Sequence, residues 1–141
     1  MIPLPLTFQL IQPRFTMVLE KEVFFLDGFP RTMEQIPLCF QLVDQYDCEP
    51  LNVLYINTPD EICLERLMKA KRGRKDDGDA DTARIRLEVY HKETLPVIEA
   101  FERGDCQHKV HFAEIDGSDM QTHAEKYSQE FADIWGLTPR V

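Results

Sequence analysis

The 141 residues contain no Gly-x-x-x-x-Gly-Lys-Ser/Thr run, so they carry no glycine loop of the kind whose backbone amides cradle nucleotide phosphates. Positive charge is scarce as well. Sixteen Lys and Arg face 25 Asp and Glu, for a net charge of -9. That balance argues against a broad nucleic-acid or anionic-membrane footprint, because such partners reward clustered Lys and Arg, so any anion site has to be local. The four cysteines, Cys39, Cys48, Cys63 and Cys106, include no Cys-x-x-Cys pair. This excludes a disulfide scaffold and suits reduced thiols in a cytoplasmic protein, with no zinc expected. The apolar start from Met1 to Ile11 is interrupted by Pro3 and Pro5, lacks basic flanks and is too short to cross a bilayer, so it reads neither as a signal peptide nor as an anchor. Internal repeats and low-complexity tracts are absent.

What is present is enough for one domain with a core: 43% of the residues are hydrophobic and 29% charged, and a single domain over 1–141 is expected. Val23 to Leu26 is a short uninterrupted apolar run, the pattern of a strand buried on both faces, Leu51 to Ile56 reads as a second buried strand bounded by Pro50 and Thr58-Pro59, and Val110 to Ile115 alternates enough for another, followed by a turn at Asp116-Gly117-Ser118. Thr7 to Val18 permits a short or broken helix. Met33 to Val43 reads as a helix with Met33, Ile36, Phe40 and Val43 on one stripe, provided that Pro37 falls in its first turn. Thr58-Pro59-Asp60-Glu61 looks like a helix start, with a hydroxyl cap followed by proline. A long helix from Asp81 or Thr82 carries Leu87, Tyr90, Val97, Ile98 and Phe101, kinked at Pro96, and Met120 to Trp135 forms an amphipathic helix. Strands alternating with helices predict a parallel α/β sheet of about three strands flanked by helices.

The chemistry gathers in two places. Asp27-Gly28-Phe29-Pro30-Arg31-Thr32 follows the first apolar run and hangs a carboxylate and a guanidinium on the C-terminal rim of a buried strand, where parallel sheets bind nucleotides. Between Lys69 and Lys75 five of seven residues are basic, and Asp76, Asp77, Asp79 and Asp81 follow, able to pair with the arginines and fix their orientation. Arg86 and Tyr90, four apart, share a helix face. Phosphoryl transfer leaves a protein little covalent work beyond placing cations around the moving charge. One such arginine is worth about 10³ to 10⁵ in rate, against about 0 to 1 kcal/mol for an exposed ion pair. His108 and His111 lack a third ligand in view, and Trp135, Phe101 and Phe131 read as core.

Three motifs in order, Phe25-Leu26-Asp27-Gly28-Phe29-Pro30-Arg31-Thr32 with Gln35, Gly73-Arg74-Lys75-Asp76-Asp77, and Arg86-Leu87-Glu88-Val89-Tyr90 leading to Pro96-Val97-Ile98, resemble the adenylate kinases, nucleoside monophosphate kinases that move a phosphoryl group between ATP and AMP. The resemblance covers most of the chain. It implies an incomplete P-loop-NTPase-like sheet with a short lid at about 67–80, Mg²⁺ bound with ATP, and the partners ATP, AMP and ADP, leaving the oligomeric state open. Asp27 matches a carboxylate acting through water on Mg²⁺, Arg31 the arginine on the AMP phosphate, and Gln35 the amide reading the AMP base. Gly28 and Ile2 match backbone lining the AMP pocket. Arg66 matches the residue lying on the ATP adenine, and Gly117 the loop beside that base. Arg72, Arg74 and Arg86 match the arginines around the transferred phosphate, with Lys71 competing for the place of Arg72, and Asp76 and Asp77 the carboxylates that orient them. Thr32 with Gln35 favours AMP over UMP or CMP.

The chain departs from the family in lacking its phosphate loop and first strand, and Met1-Ile2-Pro3 matches a point late in the AMP-binding region. An N-terminally truncated kinase of impaired activity and poor stability is the expectation. The alternative is a non-catalytic nucleotide-binding or interaction module derived from that family.

Overall fold

A computed structural model of the chain describes residues 6, 9–11, 25–69, 79–104 and 107–118. Ile2, Arg72, Arg74, Asp76, Asp77, the lid segment at 70–78 and the helix expected from Met120 to Trp135 lie outside the described residues. The element order is a 3₁₀ turn at Met33–Gln35, α1 (Ile36–Tyr46), β1 (Leu51–Asn57), α2 (Asp60–Lys69), α3 (Ala80–Val89), a π turn at Tyr90–Thr94, α4 (Leu95–Arg103) and β2 (Val110–Asp116). Leu6 and residues 9–11 are helical, the latter within the Thr7 to Val18 span expected for a short or broken helix and Leu6 just ahead of it. No helix among the described residues is long and apolar enough to cross a membrane.

β1 and β2 form a two-stranded sheet. Leu51 N donates to Lys109 O at 3.0 Å, and Gly117 N donates to Asn57 O at 2.6 Å. In a parallel ladder a residue bonds the neighbours on either side of its opposite number, so Leu51 faces Val110 and Asn57 faces Asp116, and the register advances in one direction along both strands. The result is the parallel α/β class that the sequence predicts, with two strands among the described residues. The expected strand at Val23 to Leu26 is not observed where it can be seen. Phe25 and Leu26 have no strand conformation, and Phe25 is 67% exposed. An apolar run becomes a buried strand only through ladder partners and cover on both faces, which its own composition cannot supply.

Internal contacts divide the chain into two compact units, Met1–Leu51 with His91–Val110, and Asn52–Tyr90 with His111–Val141. In the first, α1 and α4 bury Cys39, Leu42, Val43, Val97, Ala100 and Phe101. Phe40 meets Phe101 edge to face with ring centroids 6.3 Å apart, and meets the His108 ring at 4.7 Å. His108 Nδ1 lies 2.6 Å from Glu49 Oε1 and its Nε2 lies 3.5 Å from Asp44 Oδ1. The buried stripe of α1 thus runs through Cys39, Leu42 and Val43, whereas Met33, expected on it, is 50% exposed. The 3₁₀ turn shifts the phase by placing Gln35 inward instead. Pro37 does sit in the first turn of α1, where its missing N–H costs no helical bond.

The second unit buries Ala83 and Ile115 among its described apolar side chains. α2 begins at Asp60, and the Pro59 carbonyl accepts from Cys63 N at 3.0 Å. Pro59, not Thr58, is therefore the capping position. Asp79 also departs from expectation: its Oδ2 accepts from Thr82 N at 2.9 Å and from the Thr82 hydroxyl, so it caps α3. Those hydrogen bonds, that of the Thr82 side chain foremost, lower the Asp79 pKa. The long helix predicted around Pro96 is instead α3 and α4 joined by the π turn. Proline lacks an N–H and its ring crowds the carbonyl four residues back, so the ladder widens just ahead of it.

Candidate functional site

The segment Asp27–Gln35 folds on itself within the first unit. Gly28 has φ +69, and a side chain there would run into the Arg31 guanidinium, its Nε at 2.8 Å included. Only glycine accepts both the left-handed backbone and that close approach without strain. The guanidinium is drawn back by Arg31 Nε donating to Gly28 O at 2.7 Å. Arg31 N donates to Gln35 Oε1 at 2.7 Å, Gln35 N donates to Thr32 O at 2.9 Å, and the Thr94 hydroxyl donates to Arg31 O at 3.1 Å.

Three predicted site residues are therefore linked, Gly28, Arg31 and Gln35, with Asp27 next to Gly28 in the turn. Arg31 is exposed, and neither Nη1 nor Nη2 has a partner among the described residues. Two parallel N–H donors of a guanidinium fit two oxygens of a phosphomonoester. Gln35 is 6% exposed; its Oε1 is engaged by Arg31 while its Nε2 has no partner among the described residues. A buried amide left with a donor to spare costs free energy unless a ligand or water meets it. Asp27 is exposed in the turn, with its carboxylate free of hydrogen bonds and ion pairs among the described residues. It is a hard oxygen donor open to a hydrated cation.

In the second unit Arg66, in the last turn of α2, sends Nη2 to Ser118 O at 2.9 Å. Arg66 thereby reaches the loop of Gly117, at the end of β2. Gly117 is glycine because a Cβ would strike the Thr58 hydroxyl and come within 2.8 Å of Ile56 Cγ2 and 3.2 Å of Asn57 O. Asp116 Oδ1 accepts from Ser118 N at 2.8 Å, closing the turn that the sequence predicts at Asp116-Gly117-Ser118. Burial first, and then the nearby Asp60, raises the Cys63 pKa, while Arg66 opposes them.

Arg86 is half-buried on α3, and Tyr90 one turn on places its hydroxyl 2.9 Å from that of Tyr55 on β1. Burial, followed by the Tyr55 hydrogen bond, raises the Tyr90 pKa. Sequence reasoning missed Tyr55, Thr94 and Ser118. It also missed an open concavity of ≈ 320 Å³ lined by Asn57, Pro59, Glu114 and Asp116 at the C-terminal ends of both strands. The one available signal was that Asn57 and Asp116 directly follow the predicted strands, at the rim where parallel sheets bind ligands. Among the described residues no group of three or more His, Cys, Asp and Glu could hold a metal ion.

The adenylate kinase family model matches residues 1–106. An adenylate kinase of Corynebacterium aurimucosum is 35% identical over 101 residues, covering 72% of this chain and 54% of the relative. One of Corynebacterium diphtheriae is 34% identical over 98 residues, 70% of this chain and 52% of the relative. A third, of Cyanothece sp., is 28% identical over 134 residues, 94% of this chain and 66% of the relative. The chain spans about half the length of the first of these curated relatives.

Proposed function

The chain belongs to the adenylate kinase family, and from that premise we propose that it serves reversible phosphoryl transfer between ATP and AMP, giving two ADP. A phosphate oxygen of AMP attacks the γ-phosphorus of ATP in line. A new P–O bond forms as the bond to the β–γ bridging oxygen breaks, and both products leave as ADP. In this reading Arg31 holds the AMP phosphate through Nη1 and Nη2. Gly28 and Ile2 line the AMP pocket with backbone. Gln35 turns its Nε2 donor to the adenine, and the second lone pair of Oε1 stays able to accept. Arg66, steered by the Ser118 carbonyl, lies on the ATP base beside Gly117. Arg72, Arg74 and Arg86 surround the transferred phosphate, with Asp76 and Asp77 orienting the lid arginines.

Asp27 would hold Mg²⁺ through its water shell, which suits a free, exposed carboxylate. Bound with ATP, the cation supplies neutralisation of the phosphate charge. A cytoplasmic location belongs to the same proposal, supported by the free thiols of Cys39, Cys48 and Cys63.

The observation that carries this reading is the conformation of Asp27–Gln35, where an exposed guanidinium, both terminal nitrogens without a partner among the described residues, is fixed beside a buried amide whose Nε2 likewise has none there. Calorimetric titration with AMP tests it. Arg31→Ala is expected to weaken AMP binding about tenfold to a hundredfold, the worth of a charged hydrogen bond of about 1.5–3 kcal/mol, and to leave ATP binding unchanged. Unaltered AMP binding overturns it.

A second reading is that of a nucleotide-binding module without turnover. A coupled assay for ADP separates them: AMP and ATP bound with slow, Mg²⁺-dependent ADP formation supports transfer, and binding with no ADP supports the module.

A further inference from the structure

Thr94 stands where a helix-capping hydroxyl is ordinarily spent on its own helix. It is the N-cap residue of α4, yet its side chain makes no cap hydrogen bond. The backbone there is already helical, φ -96 and ψ -40, because the π turn runs directly into α4. The first turn of α4 therefore needs no side-chain acceptor from Thr94 in the way an isolated helix start does. The hydroxyl is directed instead across 63 residues of sequence to the Arg31 carbonyl, at 3.1 Å.

Of the bonds that fix Arg31, those from Gly28 and Gln35 are local, within four residues. The bond from Thr94 comes from outside the segment. Local bonds set the shape of the Asp27–Gln35 turn, whereas a bond from α4 sets where that turn sits on the unit's core, which α4 helps to build through Val97, Ala100 and Phe101. We infer that Thr94 is a positioning residue for Arg31: its hydroxyl pins the arginine's backbone to α4, so that the guanidinium meets a phosphomonoester in one place. The inference rests on the reading of Arg31 as the ligand of the AMP phosphate.

Its test uses the full chain with Thr94→Val, which removes the donor at nearly constant volume, and Thr94→Ser, which retains it. Thr94→Ala serves where valine disturbs folding, judged by the thermal melt. AMP and adenosine are titrated against each protein, since the two differ only in the phosphate. Loss of one neutral hydrogen bond is expected to weaken AMP binding about fivefold in Thr94→Val, with adenosine unchanged and Thr94→Ser equal to wild type. Equal loss of AMP and adenosine, no loss of either, or a serine variant as poor as valine overturns the proposal.

A ligand-free readout keeps the two readings apart. The Arg31 side-chain N–H resonance in a ¹⁵N-arginine spectrum shifts in Thr94→Val and not in Thr94→Ser when Thr94 positions Arg31. If wild type binds AMP no better than adenosine, the phosphate role of Arg31 fails, and this spectrum alone decides Thr94. An unmoved resonance overturns the positioning role.

Discussion

The two compact units solve the same problem to different degrees. The first closes a core of Cys39, Leu42, Val43, Val97, Ala100 and Phe101 between α1 and α4, and its candidate site is braced against α4. The second has Ala83 and Ile115 as its buried apolar side chains among the described residues, and leaves Ile56, Met68, Ile85 and Val89 between 42% and 58% exposed. Among its described residues, hydrogen bonds tie the ends of strands and helices: Asn57 Nδ2 to Glu114 Oε1 at 2.7 Å, Gly117 to Asn57, Arg66 to Ser118, and the Asp79 cap. Apolar burial stabilises by roughly 25 cal/mol per Å², whereas an exposed hydrogen bond nets little, so among the described residues the first unit shows more packing and the second more hydrogen bonding at element ends.

The largest break in that comparison comes from truncating one apolar residue in each unit. Leu42→Ala, at a side chain 1% exposed, is expected to cost about 2–5 kcal/mol, and Ile85→Ala, at 58% exposed, less than about 0.5 kcal/mol. Urea denaturation of the two variants measures both. Equal costs would erase the distinction between the units.

The glycines give a smaller contrast. Gly117→Ala drives a Cβ into Thr58, Ile56 and the Asn57 backbone where the strands end, and is expected to destabilise the chain by about 1–3 kcal/mol. Gly28→Ala strikes only the flexible guanidinium of Arg31, so its cost is the left-handed backbone, about 1 kcal/mol, together with weaker AMP binding as the guanidinium is displaced. Thermal melts alongside AMP titration rank the two. A Gly28 variant less stable than the Gly117 variant would reverse the assignment.

The smallest effect concerns pH in the second unit. The folded pKa of Asp79 is lowered, so its cap is fully present above the ordinary aspartate value and is lost as pH falls through the lower, folded value. Asp79→Asn keeps an acceptor at the cap and removes the titration. Its helical circular dichroism is expected to fall less than that of wild type on acidification below about pH 4. Identical acid profiles would remove Asp79 from the account.

Much was legible in the residues before any coordinates. Leu51 to Ile56 and Val110 to Ile115 are observed as strands, each one residue longer, because β-prone segments bounded by proline or glycine admit few other conformations, although β1 is only half-buried and not buried on both faces as expected. Pro37 in a first turn and the Asp116-Gly117-Ser118 turn were equally legible, being local chemistry. The family was carried by motif order, and the Adenylate kinase match over 1–106 agrees with it. Three readings failed, one because a strand needs distant ladder partners and two because neighbouring groups compete for the same local cap. Phe25 was expected in a buried strand and is exposed; Asp79 was expected to pair with arginines and caps a helix; Thr58 was expected to cap and leaves that place to Pro59.

The amino-acid order alone determined which segments are apolar, where proline and glycine interrupt them, and which side chains can bind an anion, since these are properties of single residues and near neighbours. Tertiary structure decided which of those side chains became available. It sent the Thr94 hydroxyl to Arg31 and brought Arg66 to the Ser118 carbonyl. A hydrogen bond is set by distance and angle in space, and separations of 52 or 63 residues have no imprint on local sequence.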